Sequence, residues 1–236
     1  MSTKQKIKTG IALFMTCLLL GMMTFDLSGQ MIHEWMGVAI SLLICIHFFL
    51  NISWCKGLMR GHYTSARILQ TVINLILLIS FIALVICGML LSDYAFSFLP
   101  VADAGELAYI VHHTAGYWLF AGASMHLGLH WNRVIRMTRH IFGIQSENRS
   151  RTIVLRIIAI ACFALGIYCF AELQFGGYML NLVRYSYLAY GQPAGLIIGK
   201  YAAVMGLFAI AAYYLQLLLH NKTRFVGRRQ NSKNKE

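Results

Sequence analysis

The fold is decided by two stretches of sequence, MIHEWMGVAISLLICIHFFLNISW at residues 31–54 and LAYIVHHTAGYWLFAGASMHLGLHW at residues 107–131. In each stretch a histidine is followed four residues later by a glycine and fourteen residues later by a second histidine. Both stretches are apolar and exceed the roughly 20 residues that a helix needs to cross a membrane. The pattern predicts two membrane-spanning helices that carry matching histidines.

The composition of the whole chain agrees with a membrane environment. Of 236 residues, 58% are hydrophobic and 12% are charged, and the mean hydropathy is +0.64, which lies outside the range of soluble domains. No segment alternates in the manner of a barrel strand, so an all-α integral membrane protein is predicted. Six apolar runs are long enough to span a bilayer, at roughly residues 9–29, 31–54, 67–92, 107–131, 152–174 and 194–219.

The basic residues predict the orientation of these six spans. With the amino terminus in the cytoplasm, every lysine and arginine except Arg184 and Lys200 falls on the cytoplasmic side, as the preference for basic inner loops requires. Both termini are therefore expected in the cytoplasm. We attribute the formal net charge of +12 to topology and to attraction for anionic lipid headgroups, and not to nucleic-acid binding.

The histidine spacing points to a specific chemistry. Fourteen residues are nearly four helical turns, so His33 and His47 share one helix face, about 40° apart and separated by about 21 Å along the axis. The same holds for His112 and His126. Because the two helices run in the same direction, His33 pairs with His112 near the outer face and His47 with His126 deeper inside. Ionisable residues within a membrane are costly and usually serve a site.

Two histidine pairs at two depths match the axial ligands of two haems. A six-coordinate haem needs an imidazole on each face of its iron. Gly37 and Gly116 lie on the same helix faces between the ligands, where the lack of a side chain lets a porphyrin approach the backbone. We therefore predict that the second and fourth helices lie side by side and hold two haems between them.

Two neighbouring histidines leave the ligand assignment open. His113 is rotated by about 100° from His112 on the helix, so His112 is preferred, although a distorted helix would exchange the two. His130 lies one turn beyond His126 and is an alternative ligand, a propionate contact or a donor to a quinone. His126 is favoured because its spacing repeats that of the first helix. The pair His126 and His130 also has the spacing of a metal site.

The acidic residue Glu34, next to His33, has two possible roles. It would relay protons from a quinol, or it would stabilise the positive end of the second helix by its charge. The second role is favoured.

These motifs resemble a family of membrane cytochromes. The segments His33-Glu34-Trp35-Met36-Gly37 to His47, and His113-Thr114-Ala115-Gly116-Tyr117-Trp118 to His126-Leu127-Gly128-Leu129-His130-Trp131, resemble a bacterial and archaeal family of cytochrome-b-like proteins of undefined function. They are also similar to the di-haem cytochrome b subunits of membrane-bound hydrogenases and formate dehydrogenases. The resemblance covers about residues 9–140.

The resemblance implies electron transfer through a four-helix haem bundle beside a redox partner, in a prokaryotic cytoplasmic membrane. It assigns residues 1–140 to a di-haem domain, and leaves residues 141–236 as two further helices with a basic cytoplasmic tail. The implied haem ligands are His33, His47, His112 and His126, with His113 and His130 as second choices.

The motifs that the sequence lacks limit the redox cofactors that the chain is expected to bind. The chain has no CxxCH motif, so its haems are expected to be b-type and not covalently attached. It also has no glycine-rich phosphate loop and no soluble segment large enough for a flavin or nicotinamide domain. The expected function is transmembrane electron transfer between a quinone or cytoplasmic donor and an extracytoplasmic redox partner. The protein would be an enzyme only with a quinone site of its own, or it would serve as the membrane cytochrome b subunit of an oxidoreductase.

Two alternatives belong to other classes of protein. A transporter or metal-handling protein would line a polar path with these histidines, but the third, fifth and sixth spans are almost purely apolar in their middles. A haem-free membrane anchor would assemble redox partners without carrying electrons itself.

Overall fold

A computed structural model describes residues 3–58, 60–99, 105–144, 146, 148–183 and 192–233, with residues 3–4 and 221–233 described by their backbone alone. Every regular element in these residues is an α-helix. In chain order the helices are α1 (Thr3–Met22), α2 (Phe25–Leu50), α3 (Ser53–Leu58), α4 (Ser65–Leu90), α5 (Gly105–Leu129), α6 (Trp131–Ile141), α7 (Arg149–Glu172), α8 (Phe175–Met179) and α9 (Ala194–Lys233). Arg184, expected on the outer side, lies outside the described residues.

Five helices in the described part of the chain are long and apolar enough to cross a membrane. They are Gln5–Met22 within α1, the whole of α2, α4 and α7, and Ala194–His220 within α9. The chain is therefore an all-α, multi-pass membrane protein. Helix α5 has 25 residues but is not among the five, because histidines, glycines, Thr114 and Ser124 interrupt its apolar sequence. Its membrane crossing, the sixth predicted span, stays a prediction.

The boundary between the first two helices lies closer to the amino terminus than the sequence pattern predicts. The Thr24 hydroxyl donates a hydrogen bond to the Gly21 carbonyl at 2.7 Å, and α1 ends at Met22. Helix α2 then begins at Phe25 but contains a non-helical residue, Gly29, with φ 73° and ψ 169°. Glycine adopts this conformation without a steric penalty. The start of α2 is therefore a single turn set off by a break.

The described residues form two compact units. The first contains residues 1–62, 79–117 and 173–202, and the second contains residues 63–78, 118–172 and 203–236. In the first unit α1 packs along α2, where a Cβ added to Gly21 would lie 2.6 Å from the Met36 methyl group. The boundary at residue 140, predicted between a di-haem domain and two further helices, was drawn from the positions of the proposed haem ligands. It stays a prediction.

Small residues bring helices of the second unit together. A Cβ added to Gly128 of α5 would overlap the Ala209 carbonyl of α9, and one added to Gly166 of α7 would lie 2.6 Å from the Ala203 carbonyl oxygen. Close backbone approach at small residues is a common way for membrane helices to associate. Helices α5, α7 and α9 are therefore held in direct contact within this unit.

Candidate functional site

Two predicted ligands, His33 of α2 and His112 of α5, lie together in the first unit. Their ring centroids are 6.2 Å apart and their ring planes are inclined by 65°. The Nδ1 atoms of both rings are buried, and neither has a hydrogen-bond partner in the described part of the chain. Buried polar atoms are almost always bonded, so this pair calls for a functional explanation.

The separation of the two rings fits a shared metal ion. An imidazole nitrogen binds a metal ion at about 2 Å, and the ring centroid lies about 1.1 Å farther along the same line. Two imidazoles on opposite faces of one metal ion therefore have centroids about 6.3 Å apart. The observed separation of 6.2 Å is close to this value.

Glycine residues border this pair. A Cβ added to Gly88 of α4 would lie 3.2 Å from Cε1 of His112, so any larger residue there would displace the imidazole. Beside Gly37 the nearest atom is the Met22 methyl carbon at 3.7 Å, and beside Gly116 it is a Leu84 methyl carbon at 4.0 Å, both measured from an added Cβ. Both neighbours are ends of flexible side chains, so a rotamer change would widen the space beside either glycine.

His113 lies in a different environment from His112. Its ring stacks on Tyr109 at 5.8 Å and contacts Tyr117 and Tyr178 at 5.2 Å each. Tyr117 also stacks on Tyr178, and the hydroxyl oxygens of Tyr117 and Tyr201 are 3.5 Å apart. The structure therefore groups His113 with tyrosines and His112 with His33, which favours His112 as the ligand.

His126 of α5 belongs to the second unit, where it has a polar neighbour. Its Nδ1 lies 2.9 Å from the Oδ1 of Asn74 in α4. An amide oxygen only accepts, so Nδ1–H donates to it. A partner on the second ring nitrogen is the usual means of orienting a ligating histidine. Asn74 was not identified from the sequence, because nothing near it in the chain marks it as a partner.

His130 lies beside His126 at the break between two helices. The two rings meet edge to face with centroids 4.6 Å apart, and His130 is the residue that precedes the first turn of α6. Its position at the end of α5 explains why the two histidines do not continue one regular helix face. This geometry favours His126, which keeps its place in the repeated spacing, over His130 as the ligand.

His47 belongs to the first unit, near the end of α2. The Asn51 side-chain amide donates to the His47 carbonyl at 2.8 Å, and Lys8 of α1 donates to the Asn51 side-chain oxygen at 2.9 Å. These bonds fasten the end of α2 to α1. His47 and His126 lie in different units.

Glu34 does not cap α2, which begins at Phe25 and has Asp26 as the acidic residue of its first turn; that prediction is wrong. Its carboxylate instead binds the segment that follows α4. The donors are the Ser92 hydroxyl at 2.7 Å and three consecutive backbone N–H groups, those of Asp93 at 3.0 Å, Tyr94 at 2.9 Å and Ala95 at 2.9 Å. We call this arrangement the Glu34 clamp.

The clamp connects a predicted ligand to a distant part of the chain. Successive N–H groups that converge on one anion form a nest, and hydrogen bonds to an ionised acceptor are stronger than neutral ones. Gln30 completes the clamp by donating to Glu34 at 3.1 Å and to Asp93 at 2.6 Å. Both carboxylate oxygens accept hydrogen bonds, which disfavours the proton-relay role. Since His33 precedes Glu34, the clamp restrains the backbone that carries the ligand.

Comparison of the chain with protein families, with curated proteins and with solved structures found no match. Within the residues that the structure describes, no three or more His, Cys, Asp or Glu side chains converge into a cation site. The functional interpretation therefore rests on the histidine geometry and on the repeated sequence pattern.

Proposed function

We propose that this protein transfers electrons across a membrane through two b-type haems, one held by His33 and His112 and the other by His47 and His126. Bound haem supplies a one-electron change at its iron, while the chain supplies ligands, position and surroundings. The electrons would pass between a quinone or cytoplasmic donor and an extracytoplasmic redox partner. The proposal agrees with the resemblance to cytochrome-b-like proteins of prokaryotic cytoplasmic membranes.

One observation carries the proposal: the 6.2 Å separation of the His33 and His112 rings. The two residues come from different helices and are far apart in sequence, so their proximity comes from the tertiary fold. The Nδ1 atoms of both rings are buried and have no hydrogen-bond partner among the described residues, which is compatible with a ligand that the chain itself does not supply.

The second haem is supported by the sequence repeat and by the neighbour of His126. His47 stands in the same relation to His33 as His126 does to His112. The bond between His126 and Asn74 is of the kind that orients a ligating histidine. Two haems at two depths would provide successive sites for an electron that crosses a hydrocarbon layer about 30 Å thick.

Electron transfer across a sealed membrane tests this function directly. The purified protein would be placed in vesicles that contain ferricyanide, and the impermeant reductant dithionite would be added outside. Each electron from dithionite reduces one ferricyanide to ferrocyanide. We expect ferricyanide in these vesicles to bleach at least about tenfold faster than in protein-free vesicles, because bare hydrocarbon excludes both ions. Equal rates in the two kinds of vesicle would contradict the proposal.

A double variant supplies the control for leakage. His33→Ala combined with His126→Ala removes one ligand from each proposed haem, and it leaves the apolar surface of the helices almost unchanged. Vesicles with this variant should bleach at the protein-free rate. Fast bleaching with the variant would show that the protein merely makes the vesicles leaky.

A further inference from the structure

A surface with no role in the proposed electron transfer is helix α6, which lies between α5 and α7 in the second unit. At 100° per residue, its apolar and polar residues separate completely, with an apolar arc of about 160° and a polar arc of about 120°. The apolar arc consists of Trp131, Val134, Ile135, Met137, Thr138 and Ile141, and the polar arc of Asn132, Arg133, Arg136, Arg139 and His140.

Both faces of α6 are accessible. Trp131 and Ile141, the first and last residues of the helix, are 39% and 64% exposed, and Phe142 just beyond the helix is 72% exposed. Arg133, Arg136 and Arg139 are exposed as well. A helix that presents apolar side chains on one face and arginines on the other matches the surface of a bilayer, where both faces are satisfied.

The three arginines of α6 lack partners within the described part of the chain. None of their guanidinium groups forms a hydrogen bond, an ion pair or a ring contact there. Other arginines of the same unit do have partners: Arg67 lies over the Tyr63 ring at 4.2 Å, and Arg151 donates to the Ser146 carbonyl at 2.7 Å. Residues 131–146 contain no aspartate or glutamate. Within the described residues, the charge of these three arginines is therefore not matched by any anion.

We propose that α6 lies in the cytoplasmic headgroup layer and binds anionic phospholipids through Arg133, Arg136 and Arg139. The ligand is a lipid phosphate with a net negative headgroup, such as phosphatidylglycerol. The guanidinium groups donate to phosphate oxygens, while the Trp131 and Ile141 side chains enter the acyl layer beneath. The break at His130 ends α5 and lets α6 take a direction of its own.

Tryptophan quenching tests this site in the full chain. The chain has four tryptophans, and replacing Trp35, Trp54 and Trp118 by phenylalanine leaves Trp131 as the only tryptophan, which can be excited selectively. Vesicles would contain a minor fraction of brominated phosphatidylglycerol or of brominated phosphatidylcholine. A basic residue near an anionic surface contributes about fivefold to local binding. From the quenching of Trp131 we expect the site to bind phosphatidylglycerol at least about tenfold more strongly than phosphatidylcholine, after screening by salt.

Two variants that lose the same number of positive charges show which segment causes the preference for phosphatidylglycerol. R133Q combined with R136Q and R139Q should reduce it to within about twofold of none. K222Q combined with R224Q and R228Q removes the same charge from the basic tail and should leave the preference within about twofold of the parent value. Equal losses in both variants would overturn the proposal in favour of diffuse charge attraction. Equal quenching by the two lipids in the parent would overturn it in favour of another occupant, such as an acidic protein.

A second measurement avoids the tryptophan substitutions. The otherwise unaltered chain, purified in detergent and incubated with both phospholipids, should retain phosphatidylglycerol in excess, and the α6 variant should lose that excess. Retention of the same lipid ratio by both proteins would also contradict the proposal.

Discussion

Replacing His112 by alanine should reduce the haem content from two per chain to about one. One axial ligand of the haem proposed between His33 and His112 is then missing, and we expect most of this haem, held by one imidazole alone, to be lost during purification. His113 is adjacent in sequence, but its ring is packed among Tyr109, Tyr117 and Tyr178 and cannot turn toward His33 without breaking those contacts. Haem extraction and the reduced-minus-oxidised spectrum of the purified variant measure the loss.

The matched control for this prediction is His113→Ala, which removes the neighbouring imidazole. It should keep two haems, since only the tyrosine contacts are lost. If His113→Ala loses one haem and His112→Ala loses none, the ligand assignment is wrong.

Double variants reveal which histidines share an iron. The effects of substitutions at one shared site do not add. The double variant His33→Ala with His112→Ala should therefore lose no more haem than either single variant. His33→Ala with His126→Ala, by contrast, should lose both haems. The reverse outcome would show that the pairs are crossed.

Glu34→Ala should weaken the outer haem site and lower the stability of the protein. The substitution deprives the Ser92 hydroxyl and three backbone N–H groups of their charged acceptor. A hydrogen bond to a charged group contributes about 1.5–3 kcal/mol in favourable cases, and exposure of this segment to solvent reduces the total to about 2 kcal/mol. Because His33 is the preceding residue, we expect about a 30-fold faster loss of one haem.

A spectroscopic readout separates this positioning effect from general destabilisation. The midpoint potential of one haem should shift in Glu34→Ala while that of the other stays within error, because only the outer pair adjoins the clamp. Glu34→Gln keeps one amide oxygen as an acceptor and should give an intermediate shift. Glu106→Ala removes an acidic residue at the start of α5 and should leave both potentials unchanged. Equal shifts in Glu34→Ala and Glu106→Ala would contradict the positioning role.

The sequence predicted the helical membrane architecture because long apolar runs leave few alternatives in lipid. The five described spans coincide with predicted runs to within several residues. The structure also brings His33 close to His112, as the repeat predicts. The boundary near Thr24 was misplaced because the apolar sequence continues through the turn, while the bond from the Thr24 hydroxyl to the Gly21 carbonyl ends the helix.

Features that depend on tertiary contacts could not be predicted. Glu34 finds its donors beyond the end of α4, and no local pattern connects it with Ser92. Asn74 and Gly88 are ordinary residues of an apolar helix until α5 packs beside them. The choice between His112 and His113 also required the structure, since Tyr178, which contacts His113, comes from a distant short helix. The amphipathic pattern of α6, in contrast, is visible in residues 131–141 alone.

The central claim is that paired imidazoles hold two b-type haems in one chain. It is tested most directly by the reduced-minus-oxidised spectrum of the purified protein, combined with haem extraction and a protein assay. The account predicts a low-spin b-type spectrum and about two haems per chain, because both axial positions of each iron are filled. A protein that folds in full without haem, or that holds only a high-spin haem open to external ligands, would contradict it.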